Sequence, residues 1–238
     1  MLIQTAIRSD IVNRPNAPAH AVPQAPNRAL DRSSEVNSLE QSMLLMGATM
    51  SYPRNTEIFG ENETADYLYQ VVSGSVRTYK VLSDGRRQIG GFYLPGDIFG
   101  LELAGEHSLS AEAITDVKVL VVKRTALNAL AARDATIAHQ LFVRTSSELH
   151  RMQNRMLLLV KSARERVASF LLEMAERAPR GNAIELPMSR QDIADYLGLT
   201  IETVSRTLTS LESDAAIQVP TSRRIVLRNR SALSRMNG

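Results

Sequence analysis

The sequence predicts an α+β chain with three parts: an N-terminal antiparallel β-roll of the jelly-roll type, a long helix, and a C-terminal winged helix-turn-helix. Short β-branched and aromatic runs, separated by turn residues, fill residues 50–122. A helical apolar repeat begins near residue 124, and two short amphipathic segments joined by a glycine come after residue 188. With 238 residues, 44% of them hydrophobic, the chain is long enough for one or two domains with real cores.

Composition excludes several kinds of chemistry. The chain contains no Cys, so it has no disulfide, thiol nucleophile, Cys-ligated iron–sulfur cluster or Cys-based zinc site. No apolar run reaches the ~18 residues of a membrane span, and the N-terminus lacks the apolar stretch of a secretory signal. We therefore expect a soluble cytoplasmic protein.

The net charge of +3 is confined to the last third of the chain. Residues 161–238 carry 12 basic and 9 acidic side chains, whereas residues 1–160 carry 16 of each. From Arg223 onward there are five arginines and no acid. A local basic surface suggests a polyanion partner. A solvated basic tail explains the composition equally well.

Residues 1–35 are rich in Pro, Ala and Asn and have no apolar period, which predicts a mobile arm. The apolar segment from Leu39 to Met46 is predicted to form a helix that packs on the residues C-terminal to it.

The predicted β-roll spans residues 36–123. Its strands are expected in the segments "YLYQVVSG", "SVRTYKVLSDG", "RQIGGFYLPGD" and "AITDVKVLVVK". Glycines recur at intervals of 11 residues, at positions 74, 85 and 96. Asp84-Gly85 is a strong hairpin signal, and Pro95-Gly96-Asp97 marks a second turn. Strands at this spacing favour a small antiparallel roll.

Residues 124–160 are predicted to form a dimerisation helix. Apolar and small side chains recur there at spacings of 4, 4, 3, 4 and 3, which makes a narrow coiled-coil-like seam. The seam consists of Leu141, Thr145, Leu149, Met152, Met156 and Leu159. A narrow seam on a long helix suits pairing with a second copy; packing of this helix against the roll alone is the alternative.

Residues 161–238 are predicted to form the winged helix-turn-helix. An amphipathic helix is followed by the short strand "AIELP". Ser189 precedes Asp192 by three residues, as in a capping box, and Gly198 ends that helix. Thr200 caps the next helix, whose inward face is formed by Val204, Leu208 and Leu211. Two strands, "AIQVP" and "RRIVLRN", make a wing joined at "TS".

The second helix of such a motif reads base edges with its N-terminal residues. Arg206 can donate two hydrogen bonds to guanine, and Glu202 can accept one from cytosine. A plain surface ion pair at i, i+4 is the alternative, worth ~0.3–0.5 kcal/mol. Contacts to phosphates are expected from helix starts and the wing tip. The candidates are Ser189, Arg190, Gln191, Thr200, Thr203, Thr221, Ser222 and Arg223.

An enzyme is not expected. The four histidines are scattered, and His139 and His150 lie eleven apart, which is not the spacing of a helical metal pair. No phosphate-binding loop, dinucleotide turn or nucleophile elbow occurs. A metal-binding oxygenase of the cupin type needs several inward-facing His, and none of the predicted strands contains one. We expect no metal site.

In this order of parts, the chain resembles the CRP/FNR superfamily of bacterial transcription regulators over about residues 40–230. Its "ETVSR" run, Glu202 to Arg206, is similar to that of the FNR and FixK type. The resemblance implies that Glu202, Ser205 and Arg206 read a TTGA-type half-site. Ile201, where the CRP type typically has Arg, completes the base-reading set. The resemblance also implies that the chain forms a homodimer on a TTGA-N6-TCAA palindrome in double-stranded DNA. It further implies that the chain is an activator that recruits RNA polymerase.

Departures from the superfamily bear on the signal. Members that bind cyclic nucleotides carry a Gly-Glu pair and an Arg that hold the ligand phosphate; here Gly100-Leu101-Glu102 and Leu109 stand at those places. A phosphate without that Arg loses its strongest contact, so we expect no cyclic AMP dependence. The absence of Cys excludes the iron–sulfur cluster of FNR, and no convincing haem ligands occur. We expect a FixK-like regulator without cofactor; the alternative is a regulator whose roll binds an unidentified effector before DNA.

Ser189 is also a possible redox-switch position. A thiolate there would feel the helix dipole and the DNA phosphates, and some FixK-like relatives carry Cys at this place. Ser is close in shape and does not oxidise, so this chain is expected to be insensitive to redox conditions.

Overall fold

The computed structural model describes residues 32–102, 105–158, 160–177 and 181–236, with side chains from residue 38 onward. Most of the predicted arm at 1–35 lies outside these residues. Residues 32–35 do not belong to an arm, because helix α1 spans Arg32–Met46 and begins seven residues before Leu39. Leu39 and Met43 are buried, so the prediction that this helix packs on the residues C-terminal to it is confirmed.

The predicted antiparallel roll is confirmed. Its described strands are β1 (Ala48–Tyr52), β2 (Glu57–Phe59), β3 (Tyr67–Ser73), β4 (Val76–Val81), β5 (Arg87–Tyr93), β6 (Ile98–Phe99), β7 (Ser110–Ala113) and β8 (Val117–Lys123). They form two four-stranded sheets, in the orders β1-β8-β3-β6 and β2-β7-β4-β5. Every pairing in them is antiparallel. An aromatic cluster around Phe59, Tyr69 and Phe99 fills the space between the sheets.

Both predicted turns are present. At the β4–β5 hairpin, Gly85 has φ +83°, and its amide donates to the Leu82 carbonyl at 2.9 Å. At the second turn, the Asp97 amide donates to the Leu94 carbonyl at 2.9 Å. Ile89 and Phe92 of β5 are buried against residues from the C-terminal part of the chain.

The single helix predicted over residues 124–160 is wrong at its start. Two helices occur there, α2 (Arg124–Ala131) and α3 (Ala135–Leu158). Asp134 separates them, because its Oδ1 accepts from the amides of Thr136 and Ile137, at 2.8 and 3.3 Å, and so starts a new helix. Only α3, with 24 residues, carries the predicted seam.

The C-terminal part has the predicted winged helix-turn-helix. Its elements are α4 (Ala163–Arg177), β9 (Ala183–Glu185), α5 (Arg190–Leu197), α6 (Ile201–Ser213), β10 (Ile217–Thr221), β11 (Arg224–Leu227) and α7 (Arg230–Met236). The three strands pair in the order β10-β11-β9. Ile89, Phe92 and Ile114 of the roll lie in the same buried cluster as α4, α5 and α6. The roll and the C-terminal part therefore share one apolar core.

Candidate nucleic-acid interface

The turn between α5 and α6 is built from local capping interactions. Ser189 caps α5: its Oγ accepts from the Asp192 amide at 3.1 Å, and the Asp192 carboxylate accepts from the Ser189 amide at 2.9 Å. Gly198 ends α5 in the left-handed conformation, with φ 64°. Thr200 then caps α6 by accepting from the Thr203 amide at 3.2 Å. These short-range contacts fix the angle at which α6 leaves α5.

The inner face of α6 determines which residues point outward. Val204, Leu208 and Leu211 are 0–3% exposed and belong to the shared core, as predicted. With this face buried, the opposite face of the helix is left to solvent.

The four predicted base-reading residues lie on the first two turns of α6. Glu202, Arg206 and Ile201 are exposed, and Ser205 is half-buried. Within the described part of the chain, no ion pair of 4.0 Å or less joins Glu202 to Arg206. Hydrogen bonds from its own backbone amide and from Thr200 lower the pKa of Glu202, with a smaller contribution from Arg206. The helix therefore presents an ionised acceptor and a guanidinium that is not paired with it.

Arg190 connects the two helices. Its Nη1 donates to the Oγ of Ser205 at 3.2 Å. Because that oxygen acts as an acceptor here, the hydroxyl proton of Ser205 remains available for donation to another group. Arg190 thus orients a predicted base-reading residue in this structure.

Three predicted phosphate contacts lie around one open cavity of about 270 Å³, namely Ser189, Gln191 and Arg223. Arg223 is held there because its Nη1 donates to the Pro187 carbonyl at 3.1 Å. Arg54 and Arg87 of the roll line the same cavity. These two arginines were not predicted from the sequence, since only the tertiary fold brings the roll to this place.

The hydroxyl of Ser189 is already engaged. Its Oγ donates to Asp192 Oδ2 at 2.8 Å, in addition to accepting from the Asp192 amide. The proton of this hydroxyl is therefore committed to Asp192 and would have to leave it to reach a phosphate.

A second groove, of about 200 Å³, runs along α6 and is lined by Thr203 and Arg206 together with Arg164. Arg164, at the start of α4, donates to Ser210 at 2.7 Å and pairs with Asp214. It was not among the predicted site residues, because its position in the sequence resembles that of an ordinary surface charge. Thr200, Thr221 and Ser222 are exposed nearby, at the helix start and the wing tip.

The predicted seam on α3 is largely uncovered in the single chain. Leu149, Met152 and Met156 are 56, 45 and 68% exposed. Leu141 packs partly on the roll, and the Thr145 hydroxyl donates to the Leu141 carbonyl at 3.0 Å. Leu159 lies outside the described residues. The predicted seam omitted further exposed apolar side chains of α3, Phe142, Val143 and Leu157.

Leu109 and Glu102, which lie in the segments that depart from the cyclic-nucleotide pattern, each have a close neighbour in the roll. Leu109 Cδ1 packs so close to Gly90 that a Cβ there would lie 2.4 Å from it. His107 is 1% exposed and stacks on Phe59 with ring centroids 3.6 Å apart. Its Nδ1 is 3.4 Å from Glu102, and its Nε2 has no hydrogen-bond partner among the described residues. Within those same residues, no cluster of three or more His, Asp or Glu is arranged to hold a metal ion.

None of the described helices has the length and hydropathy needed to cross a membrane.

Two family models match the chain. Residues 49–134 match the cyclic nucleotide-binding domain, and residues 165–236 match the Crp-like helix-turn-helix domain. The chain is 47% identical to the nitrogen fixation regulation protein FixK of Azorhizobium caulinodans, over 93% of this chain and 94% of that protein. It is 42% identical to the transcriptional activatory protein AadR of Rhodopseudomonas palustris, over 71% and 72% of the two chains.

Among solved structures, FixK2 from Bradyrhizobium japonicum superposes with a TM-score of 0.78 at 51% sequence identity, covering 81% of this chain and 98% of that one. The roll, the order of its strands and the winged helix-turn-helix therefore have direct counterparts in a solved relative. The chain belongs to the CRP/FNR superfamily of bacterial transcription regulators, in its FixK-like branch.

Proposed function

We propose that the chain is a homodimeric transcription activator that reads a TTGA-N6-TCAA-type palindrome without a bound effector. The observation that carries this proposal is the outer face of α6, where the ionised carboxylate of Glu202 and the guanidinium of Arg206 are exposed and not paired with each other. An acceptor and a bidentate donor one helical turn apart suit the edges of cytosine and guanine in the major groove. Ser205 supplies a hydroxyl donor between them, and Ile201 an apolar contact.

Two cavities near the helix-turn-helix support backbone contacts. One contains Arg223 of the wing with Ser189 and Gln191 of the α5 start, and the other, along α6, contains Arg164 and Thr203. Arginines and helix starts at these places suit phosphates, which position a protein on DNA without reading sequence. We assign Arg190, Thr200, Thr221 and Ser222 to the same role.

The exposed apolar face of α3 supports pairing with a second copy. Leu149, Met152 and Met156 are exposed along one side of a helix of 24 residues. Large apolar side chains in a row on a soluble surface mark an interaction site. A two-fold dimer through α3 would present two copies of α6, as a palindrome requires, with their centres ~34 Å apart.

The lining of the roll supports independence from cyclic nucleotides. Leu109 occupies the place of the Arg that holds the ligand phosphate in cyclic-nucleotide members, and its side chain packs on Gly90. Ser189, in place of a thiol, makes the protein insensitive to oxidation at this position. Activation is supported by the relative named a transcriptional activatory protein, and we assign RNA polymerase as the partner that an activator recruits. A regulator that binds bacterial chromosomal DNA acts in the cytoplasm, and we infer no enzymatic activity.

The test is binding of the full chain to a duplex that carries TTGA-N6-TCAA, compared with a duplex of scrambled half-sites, with and without cyclic AMP. Tight, selective binding without additives is the expected result. In the same assay, Arg206→Ala should weaken binding to the palindrome by about 1–3 kcal/mol per half-site and leave the scrambled duplex almost unaffected. Arg223→Ala should weaken both duplexes alike and lower the salt slope by about one per site.

Arg133→Ala, in the exposed turn between α2 and α3, is the matched control and should change neither duplex. Equal losses on both duplexes for Arg206→Ala would contradict base reading.

A second candidate is an effector-dependent regulator. His107 and Glu102 have buried polar atoms without hydrogen bonds inside the roll, and buried polar groups are normally satisfied. A small polar ligand that supplies these bonds would fit that observation. A strict requirement for a small molecule in the binding assay would favour this candidate over the first.

A further inference from the structure

Asp192 joins the start of α5 to the roll. It is 3% exposed, and both its carboxylate oxygens accept two hydrogen bonds. Its Oδ2 accepts from the amide and hydroxyl of Ser189, at 2.9 and 2.8 Å. Its Oδ1 accepts from Arg77 Nη1 at 3.0 Å and from Arg87 Nη2 at 2.6 Å. The residue that caps the first helix of the motif is therefore also the residue that the roll holds.

The roll makes this contact with two neighbouring strands. Arg77 lies on β4 and also pairs with Glu112 of β7 at 2.8 Å. Arg87 lies on β5 and donates through Nε to Asp195 at 3.0 Å. Gln88, next to Arg87, donates to the backbone carbonyl of Asp195 at 2.8 Å. The β4–β5 hairpin thus grips one full turn of α5.

Apolar packing completes the contact. The rings of Phe92 and Tyr196 lie 5.1 Å apart, next to the ionic contact. Hydrogen bonds between planar guanidinium groups and carboxylates are directional. Such a contact therefore fixes the orientation of α5 relative to the hairpin as well as its distance from it. We call Arg77, Arg87, Asp192 and Asp195 the clamp, and residues 189–227 the reading region.

The clamp is largely shielded from water, and its charges depend on one another. The side chain of Arg77 is 11% exposed and that of Asp192 is 4% exposed. Removing Arg77 would leave Asp192 with Arg87 as its single cationic partner among the described residues and would take the partner of Glu112 away, in a site of low polarity. A loss of Arg77 would therefore loosen the grip on α5 rather than be absorbed by solvent.

We propose that Arg77 and Asp192 are positioning residues for DNA binding, through which the β-roll holds each reading region at the orientation that a palindrome requires. The proposal rests on the proposed function, since it concerns two reading regions on one duplex. A reading region that rotates freely has the orientation needed to bind its half-site for only a fraction of the time. The apparent affinity of the dimer for the palindrome is reduced by that fraction. In this chain, the clamp would supply without an effector the fixed orientation that two-site binding needs.

The test compares full-length wild type, Arg77→Gln and Asp192→Asn on two duplexes, one with the palindrome and one with a single half-site. Orientation matters only when both reading regions bind together. We therefore expect Arg77→Gln to lose at least about fivefold in affinity for the palindrome and to bind the half-site as wild type does. Asp192→Asn also weakens the cap at Ser189, so it should lose affinity for both duplexes, and more for the palindrome. The double variant should lose no more than the worse single variant, because both remove the same contact. Arg77→Lys, which keeps the charge, should recover part of the loss.

Hydrogen exchange in the free protein gives an independent measurement. Amides of residues 190–198 should exchange faster in Arg77→Gln than in wild type. If Arg77→Gln does not fold, Arg77→Lys serves in its place, with a smaller expected loss of affinity for the palindrome. Unchanged or increased affinity for the palindrome overturns the proposal, as do equal losses on both duplexes. If wild type itself does not prefer the palindrome, the proposed function fails, and the exchange rates alone then decide whether the clamp holds α5.

Discussion

Ser189→Ala tests how much of the reading region depends on one hydroxyl. The substitution removes the acceptor for the Asp192 amide at 3.1 Å and the donor to the Asp192 carboxylate at 2.8 Å. The Ser189 backbone amide still donates to that carboxylate at 2.9 Å, so the carboxylate keeps three of its four donors. Ser189 is exposed, so the change leaves no cavity.

The expected loss can be worked out from these contacts. Replacing a Ser cap by Ala destabilises a protein by about 0.5–2 kcal/mol. Because the lost hydroxyl also donates to a charged acceptor, we expect the upper part of that range, about 1.5 kcal/mol. In a unit of this size, such a loss lowers the melting temperature by about 3–6 °C.

The assay is thermal unfolding followed by circular dichroism at one fixed protein concentration. Ser222→Ala is the matched control, because Ser222 is an exposed wing-tip residue for which the structure shows no side-chain hydrogen bond within the described residues. It should change the free energy of unfolding by less than about 0.5 kcal/mol. A Ser189→Ala protein as stable as the control would refute the capping argument.

Four further substitutions have defined outcomes. Gly74→Ala should destabilise the roll by about 2–4 kcal/mol, because φ is +82° and the new Cβ would lie 2.3 Å from the Asp116 carbonyl oxygen. Gly85→Ala meets nothing within 4 Å and should lose only about 1–2 kcal/mol, the cost of its positive φ; urea unfolding measures both. Burial, opposed by nearby arginines, raises the pKa of Glu173 above 4.5, so Glu173→Gln should stabilise the protein at pH 7 and lose this advantage below about pH 4. Leu149→Glu should convert dimers to monomers in sedimentation experiments, because a charge would enter the α3 face.

Each of these expectations has a contradicting result. Equal losses for the two glycine variants would mean that the close contact at residue 74 has no effect. The pH dependence has a fixed sign: a carboxyl with a raised pKa in the folded state penalises folding only once the pH rises past its unfolded value. If Glu173→Gln remained more stable than wild type below about pH 4, the raised pKa of Glu173 would be contradicted. Ser147→Glu places the same charge on the opposite side of α3, and an equal effect there would rule out the seam as the interface.

Features set by neighbouring residues were predictable from the sequence. The capping box at Ser189, the break at Gly198 and the hairpin at Asp84-Gly85 each depend on residues at most four apart, and all three occur as expected. The break at Asp134 was missed, although its cause is equally local. The apolar repeat has the same phase before and after residue 134, so the break between the two helices is not visible in the repeat.

Short strands and long-range contacts were not predictable. Strand β1 is exposed along most of its length, so it lacks the alternation that marks a half-buried strand. Arg77 and Asp192 lie 115 residues apart in the sequence. In the sequence, Arg77 resembles an ordinary surface charge on a strand, and Asp192 resembles an ordinary capping residue of a helix. Only the folded chain shows that they form a buried pair. Only the folded chain shows, likewise, that Arg54 and Arg87 line a cavity together with Arg223 of the wing.

The core shared by the roll and the reading region limits how this protein can be recombined. Ile89 and Phe92 of β5 are 0 and 3% exposed because α4 and α5 cover them. A chimera that joins this roll to another regulator's helix-turn-helix at the end of α3 would leave an apolar hairpin facing a surface of foreign shape. On the proposed function, DNA specificity is therefore better exchanged by replacing outer residues of α6, and a whole-domain exchange would have to carry the β4–β5 hairpin with it.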